Sequence, residues 1–177
     1  MRKLIESTLV SLDGVIESPE RWAIFDDEAT QRSMQELDNY DAFVLGRVTY
    51  ERFRENWSAS GGNPYFDRIA AMPKYVASRS LAELTWNATV LGPDMVTAIQ
   101  DLKAQPGKDL IKYGTSRLDA TLLRARLVDE LQVWNMPVVV GSGQRIFEDV
   151  EASSLKLTLT DVRELRNGSV VLTYIPD

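Results

Sequence analysis

The chain contains no cysteine and no histidine. Without cysteine there are no disulfides, no thiolate metal sites and no cysteine nucleophile, a composition compatible with a reducing cytoplasm. Without histidine there is no Ser-His-Asp or Cys-His arrangement, and the usual proton shuttle and commonest metal ligand are gone. Basic charge is also scarce: a formal net charge of -6 argues against a nucleic-acid surface, which requires a basic face, so any bound anion must be held locally. Long apolar runs are missing too. In the opening MRKLIESTLVSL, Glu6, Ser7 and Thr8 interrupt the hydrophobic stretch, so it reads as a first strand, neither a signal peptide nor a membrane span. Two familiar nucleotide signatures are absent: no GxGxxG opens a first βα unit, and no glycine-rich loop runs into Lys-Ser or Lys-Thr.

What is present is an ordinary globular composition, 44% hydrophobic and 26% charged over 177 residues, which fits one domain spanning residues 1–177. Residues 3–12 read as a strand ending at the turn dipeptide Asp13-Gly14, and residues 26–39 as a helix with its acids at the front. AFVLG is a strand and RVTYERFREN a helix, with Val48, Tyr50 and Phe53 offered to its buried side. A glycine-rich surface loop at residues 60–63 follows, then the brief strands KYVAS and TVLG. PDMVTAIQDLKAQPG is a helix, DLIKYG a strand, SRLDATLLRARL an amphipathic helix, and VDELQVWNMPVVVG a long strand entering another glycine loop, with residues 127–131 structural. Two alternating stretches around Arg166-Asn167-Gly168 predict a terminal hairpin. Strands alternating with helices, closed by that hairpin, predict a three-layer α/β/α fold with a mostly parallel sheet and an antiparallel edge.

In such sheets ligands gather at the carboxyl ends of the strands. Those ends read Gly46-Arg47-Val48-Thr49, Ser78-Arg79-Ser80, Gly114-Thr115-Ser116 and Gly141-Ser142-Gly143. Glycine admits close backbone approach, helix N-termini point amides outward and hydroxyls add donors, so two such junctions suit a pyrophosphate. Arg79, set between serines, suits a terminal phosphate monoester, which it can grip with two parallel hydrogen bonds. One ligand that carries both groups is NADPH. Proton handling then falls to carboxylates: Asp13 in the first loop, and Asp26, Asp27 and Glu28 at the start of the helix. The helix dipole accounts for those three acids equally well, and Asp13-Gly14 also reads as a plain turn. Trp22 and Phe25 could stack on a flat heterocycle or pack in the core, and Trp134 and Met136 pack at the sheet or at a subunit contact. Adjacent acids on one helix point in different directions, so no metal site is expected.

The runs SLDGVIE, LGRVTYE, VASRS and YGTSRLDATLLRARLVDELQVWNMPVVVGSGQRIF resemble the dihydrofolate-reductase-like family that includes the reductase domain of riboflavin biosynthesis, over nearly the whole chain. The resemblance implies an NADPH-binding fold in which Gly46, Arg47, Thr49, Gly114, Thr115 and Ser116 hold the pyrophosphate, and Ser78 and Arg79 the adenosine 2'-phosphate. It also implies a substrate-side acid on the first helix, leaving Asp13, Asp27 and Glu28 as catalytic candidates. Folate reductases tend to have two glycines where this chain has Gly114-Thr115, so the riboflavin-type relatives, commonly dimers, are closer. The expectation is a cytoplasmic, homodimeric NADPH-dependent reductase of a pterin-like or pyrimidine-derived substrate, using no nucleic acid and no membrane. The alternatives are a non-catalytic nucleotide-binding sensor or assembly protein, and a flavin-binding protein on the same fold.

Overall fold

A computed structural model describes residues 1–59, 61–81, 83–150 and 155–177. Its elements in chain order are β1 (Leu4–Ser11), a 3-10 turn (Pro19–Arg21), α1 (Asp27–Leu37), β2 (Tyr40–Gly46), α2 (Arg47–Trp57), α3 (Pro64–Ala71), β3 (Lys74–Ala77), β4 (Ala88–Leu91), α4 (Met95–Ala104), β5 (Asp109–Tyr113), α5 (Arg117–Arg124), β6 (Glu130–Met136), β7 (Leu157–Glu164) and β8 (Val170–Pro176). The strands form one sheet in the order β4-β3-β2-β5-β1-β6-β8-β7. The pairs β1/β6, β2/β3, β2/β5 and β3/β4 are parallel, while β8 runs antiparallel to both β6 and β7. This is the expected architecture, a mostly parallel sheet with helices and a terminal antiparallel hairpin. By contacts the chain divides into two compact units, residues 1–4 with 34–112, and residues 5–33 with 113–177.

In the first unit β2 is buried on both faces, with Ala42, Phe43, Val44 and Leu45 all in the core, as an interior parallel strand demands. Helix α3 was not legible in the sequence, where residues 58–64 read only as loop; of these, Ser60 lies outside the described residues. The helix starts because Asn63 accepts a hydrogen bond from the Tyr65 amide and Pro64 needs no donor partner in the first turn. Its other end is closed by Lys74, a lysine only 1% exposed, whose Nζ donates to the carbonyls of Ile69 (2.7 Å), Met72 (2.7 Å) and Ala70 (3.2 Å). The ammonium also sits 4.2 Å from the ring centroid of Trp86. Burial pushes its pKa down to about 8.

In the second unit one sheet face is sealed by α1 and the chain before it: Trp134 and Met136 of β6 pack with Ala29, Leu165 and Val171, against Leu9, Trp22 and Ala23. Trp134 and Met136 are therefore core residues of the sheet. Strand β6 stops at Met136, short of the long strand expected from residues 128–141. Pro137 brings no amide to a ladder, and beyond it the Val138 carbonyl instead accepts from the Leu12 amide at 2.8 Å. The hairpin turn forms as its Asn-Gly predicts, with Gly168 at φ 82° and the Ser169 amide donating to Asn167 Oδ1 at 2.9 Å.

Candidate functional site

In the first unit the carboxyl end of β2 runs directly into α2. Gly46 occupies the N-cap position and has no side chain with which to cap it, and no acid lies in the first turn. The other helices are closed: α1 by Asp26, whose Oδ1 accepts from the Ala29 amide at 2.8 Å, α3 by Asn63, α4 by Asp94 and α5 by Ser116. Among the described residues, α2 alone opens with its first amides uncapped, the arrangement that attracts an anion. Thr49 stands in that first turn, partly buried. Arg47 turns its guanidinium back onto Glu51, at 3.1 and 3.2 Å from the two carboxylate oxygens, so its charge already has a partner one helical turn away. Tyr50, 1% exposed, both donates to and accepts from the backbone of Thr85 at 3.0 Å, and thereby ties α2 to the loop before β4. Val48, expected on the buried side, is 66% exposed. Residues two apart on a helix lie about 200° around its axis, so Val48 cannot share the face of Tyr50.

At the end of β3, Ser78 Oγ accepts from the amides of Ser80 (3.2 Å) and Leu81 (3.0 Å). That shapes the turn that carries Arg79. Arg79 is exposed and makes no hydrogen bond or ion pair among the described residues.

In the second unit, Gly114 takes φ 73°, which favours glycine, and its amide donates to the Ser7 carbonyl at 2.8 Å. Ser116 is committed to a capping box, accepting from the Leu118 amide at 3.3 Å while its own amide donates to the Asp119 carboxylate. Thr115 differs from its neighbour: its hydroxyl is shielded and has no hydrogen-bond partner among the described residues. Of the three residues at this junction, Thr115 has the donor left over for a ligand.

The acids separate by what they already do. Asp26 caps α1. Glu28 Oε2 accepts from the Arg166 amide at 2.9 Å and lies 3.9 Å from its guanidinium, so it anchors the hairpin turn. Asp13 is held by the Ser11 hydroxyl at 2.7 Å and by the amides of Val140 (3.0 Å) and Gly141 (2.8 Å). These bonds, the Ser11 hydroxyl first, hold its carboxyl well below the usual carboxylate range. Asp27 is exposed at the first position of α1 and makes no hydrogen bond or ion pair among the described residues. Nearby, Phe25 is 47% exposed with its ring centroid 6.4 Å from that of Trp134, whereas Trp22 donates its indole N–H to the Glu17 carbonyl at 2.7 Å and packs on the core.

The residues that sequence reasoning missed lie in a pairing of two loops. Residues 11–17 and 138–146 are joined by hydrogen bonds from the Ile16 amide to the Gln144 carbonyl, the Ile146 amide to the Gly14 carbonyl, and the Gln144 amide to Glu17 Oε2, and from the Arg145 guanidinium to the Asp13 carbonyl. The Gly141 amide is thus used within the protein, and the glycine loop read as a source of ligand donors is bound to the SLDG loop. A signal existed in Gly143: at φ 127° an added Cβ would lie 2.9 Å from Val15 Cγ1, so glycine serves close packing there.

Among the described residues, no group of three His, Cys, Asp or Glu side chains could hold a metal ion, and no helix is long and apolar enough to cross a membrane. The chain is 28% identical, over 98% of its length and 94% of the other, to YyaP of Bacillus subtilis, itself an uncharacterized protein. Its fold matches a protein of Shewanella sp. PV-4 named for riboflavin biosynthesis, with a TM-score of 0.77 at 21% identity, covering 99% of each chain. It also matches a Thermotoga maritima diaminohydroxyphosphoribosylaminopyrimidine deaminase/5-amino-6-(5-phosphoribosylamino)uracil reductase, with a TM-score of 0.70 at 13% identity, covering 99% of this chain but 57% of that one. The model of the RibD C-terminal domain matches residues 2–171, and with the strand-end junctions and the terminal hairpin in place, the chain belongs to the RibD C-terminal domain family.

Proposed function

We propose that this protein is an NADPH-dependent reductase acting on a pyrimidine-derived or pterin-like heterocycle, in the manner of a riboflavin-type aminouracil reductase. The observation that carries the reading is the opening of α2, an uncapped and acid-free helix N-terminus set directly at the carboxyl end of β2. Thr115, whose hydroxyl has no hydrogen-bond partner among the described residues, and Arg79, exposed and without a carboxylate partner among them, each suit a phosphate oxygen at their own strand ends. When bound, the cofactor supplies the hydride.

The residues of the chain bind, orient and handle the proton. Backbone amides at the start of α2, with Thr49, and the Thr115 hydroxyl would hold pyrophosphate oxygens. Arg79 would grip the 2'-phosphate, with Ser78 shaping its turn. Asp27, the acid whose side chain has no hydrogen bond or ion pair among the described residues, would hydrogen-bond the heterocycle and carry the proton, with Phe25 exposed two residues before it. The proposal extends to a cytoplasmic homodimer. Leu159 and Val162 of β7 are 49% and 57% exposed, and a cavity of about 300 Å³ lined by Val133, Leu172 and Tyr174 supports burial of that apolar sheet face against a second copy, which sedimentation can test.

The deciding experiment is a calorimetric titration with NADPH and, separately, NADH. Micromolar binding of NADPH with much weaker binding of NADH supports the reading. The variant Arg79→Ala should lose at least tenfold more affinity for NADPH than for NADH, because a charge-assisted bidentate contact is worth roughly 1.5–3 kcal/mol. Equal losses would remove Arg79 from the 2'-phosphate, and no binding of either nucleotide would end the reductase reading.

A further inference from the structure

Three donors converge on the Asp13 carboxylate, and two of them, the amides of Val140 and Gly141, belong to the loop that follows β6. The third, the Ser11 hydroxyl, in turn accepts from the Val15 amide at 2.8 Å, so the acid is continuous with the fold of its own loop. Around this centre, residues 11–17 and 138–146 are joined by a backbone bridge between Val15 and Arg145 and by the Leu12, Ile16 and Ile146 amides. Only an ionised carboxylate suits such a centre, because it is acceptor-only. An asparagine would turn its NH2 toward one of the donating groups. A carboxyl already held by three donors, and low in its proton affinity, is a poor general acid, so the value of Asp13 lies in where it places the backbone.

We propose that Asp13 is a positioning residue. Its carboxylate clasps the loops after β1 and β6 into one edge, and because β1 lies between β5 and β6 in the sheet, that edge stands beside the strand end that carries Thr115; on the reductase reading it holds the nicotinamide end of the cofactor, while proton handling rests elsewhere. The proposal rests on the reductase reading. SLDG and GSGQRIF, far apart in sequence, supply facing sides of the clasp, with Val140 just before the second.

The test uses the full chain as wild type, Asp13→Asn and Asp13→Glu. Hydrogen exchange at the Val140 and Gly141 amides reads the clasp directly. Emission of bound NADPH, which rises when the nicotinamide is shielded from water, reads positioning. In Asp13→Asn the two amides should exchange at least about tenfold faster, as loss of a charge-assisted acceptor implies. The emission increase should fall by more than half while the NADPH dissociation constant moves by less than threefold, and Asp13→Glu, which keeps the carboxylate, should recover part of both. Unchanged exchange at the two amides overturns the clasp. Faster exchange with full emission overturns the positioning role. Should Asp13→Asn fail to fold, Ser11→Ala removes one donor and is read in the same two ways. Failure of the wild-type protein to bind NADPH sinks the reductase reading alone, since the exchange comparison still decides the clasp.

Discussion

Lys74 offers a test of how the first unit holds β3, the strand that leads into Ser78 and Arg79. The residue is 1% exposed, its ammonium donates to three carbonyls at the end of α3, and its pKa is pushed by burial to about 8 from an ordinary 10.5. A lysine whose folded pKa is depressed binds its proton less tightly in the folded chain than in the unfolded one. Between about pH 8 and pH 10.5 the unfolded state therefore holds more protons, and stability rises with pH across that window. At about 1.4 kcal/mol per pH unit, the full gain is about 3 kcal/mol. Replacing Lys74 by Met keeps most of the volume and removes the titration. It also removes hydrogen bonds that would otherwise satisfy the helix end, so at neutral pH the two effects oppose each other. The pH dependence is the clean signal. Urea unfolding of wild type and Lys74→Met from pH 7 to pH 10.5 should show the wild type gaining roughly 3 kcal/mol over the variant, about 6–12 °C in melting temperature for a chain of this size. Other titrating groups cancel in the difference. A difference that stays constant across the window would refute the reasoning and mean that the three carbonyls fully compensate the buried charge.

Gly143→Ala should destabilise the protein by about 1–3 kcal/mol, because φ 127° is strained for any side chain and the new Cβ would sit 2.9 Å from buried Val15. Gly141→Ala is the control, with φ 90° but nothing within 4 Å of the added carbon; equal losses in chemical denaturation would show that the loops are not closely packed at Gly143. Asp27→Asn should lower turnover of a heterocycle found by NADPH-oxidation screening by about 10²-fold or more, with NADPH affinity unchanged. Full activity in that variant would return the role to another acid.

The sequence alone carried the order of strands and helices, because period and turn chemistry are local. The doubly buried run of β2, the capped and amphipathic α5, and Asn167-Gly168 each announce their structure within a few residues. It also marked the junctions at Gly46, Arg79 and Thr115, because ligands of an open α/β sheet collect at strand ends whatever the loops contain. The end of β6 at Met136 was announced by Pro137, which brings no amide to a ladder, but where residue 138 then bonds depends on its neighbour, Leu12. The sequence could not find α3, whose far end is completed by a lysine outside the helix. Among the acids it could only offer candidates. Asp13, Asp26, Asp27 and Glu28 are chemically alike as letters, and their tasks differ only by what faces them: Val140 and Gly141 for Asp13, the first turn of α1 for Asp26, Arg166 for Glu28 and no partner among the described residues for Asp27. Two of those partnerships span more than a hundred residues of chain, so only tertiary folding, which makes distant donors into neighbours, decided which acids are held.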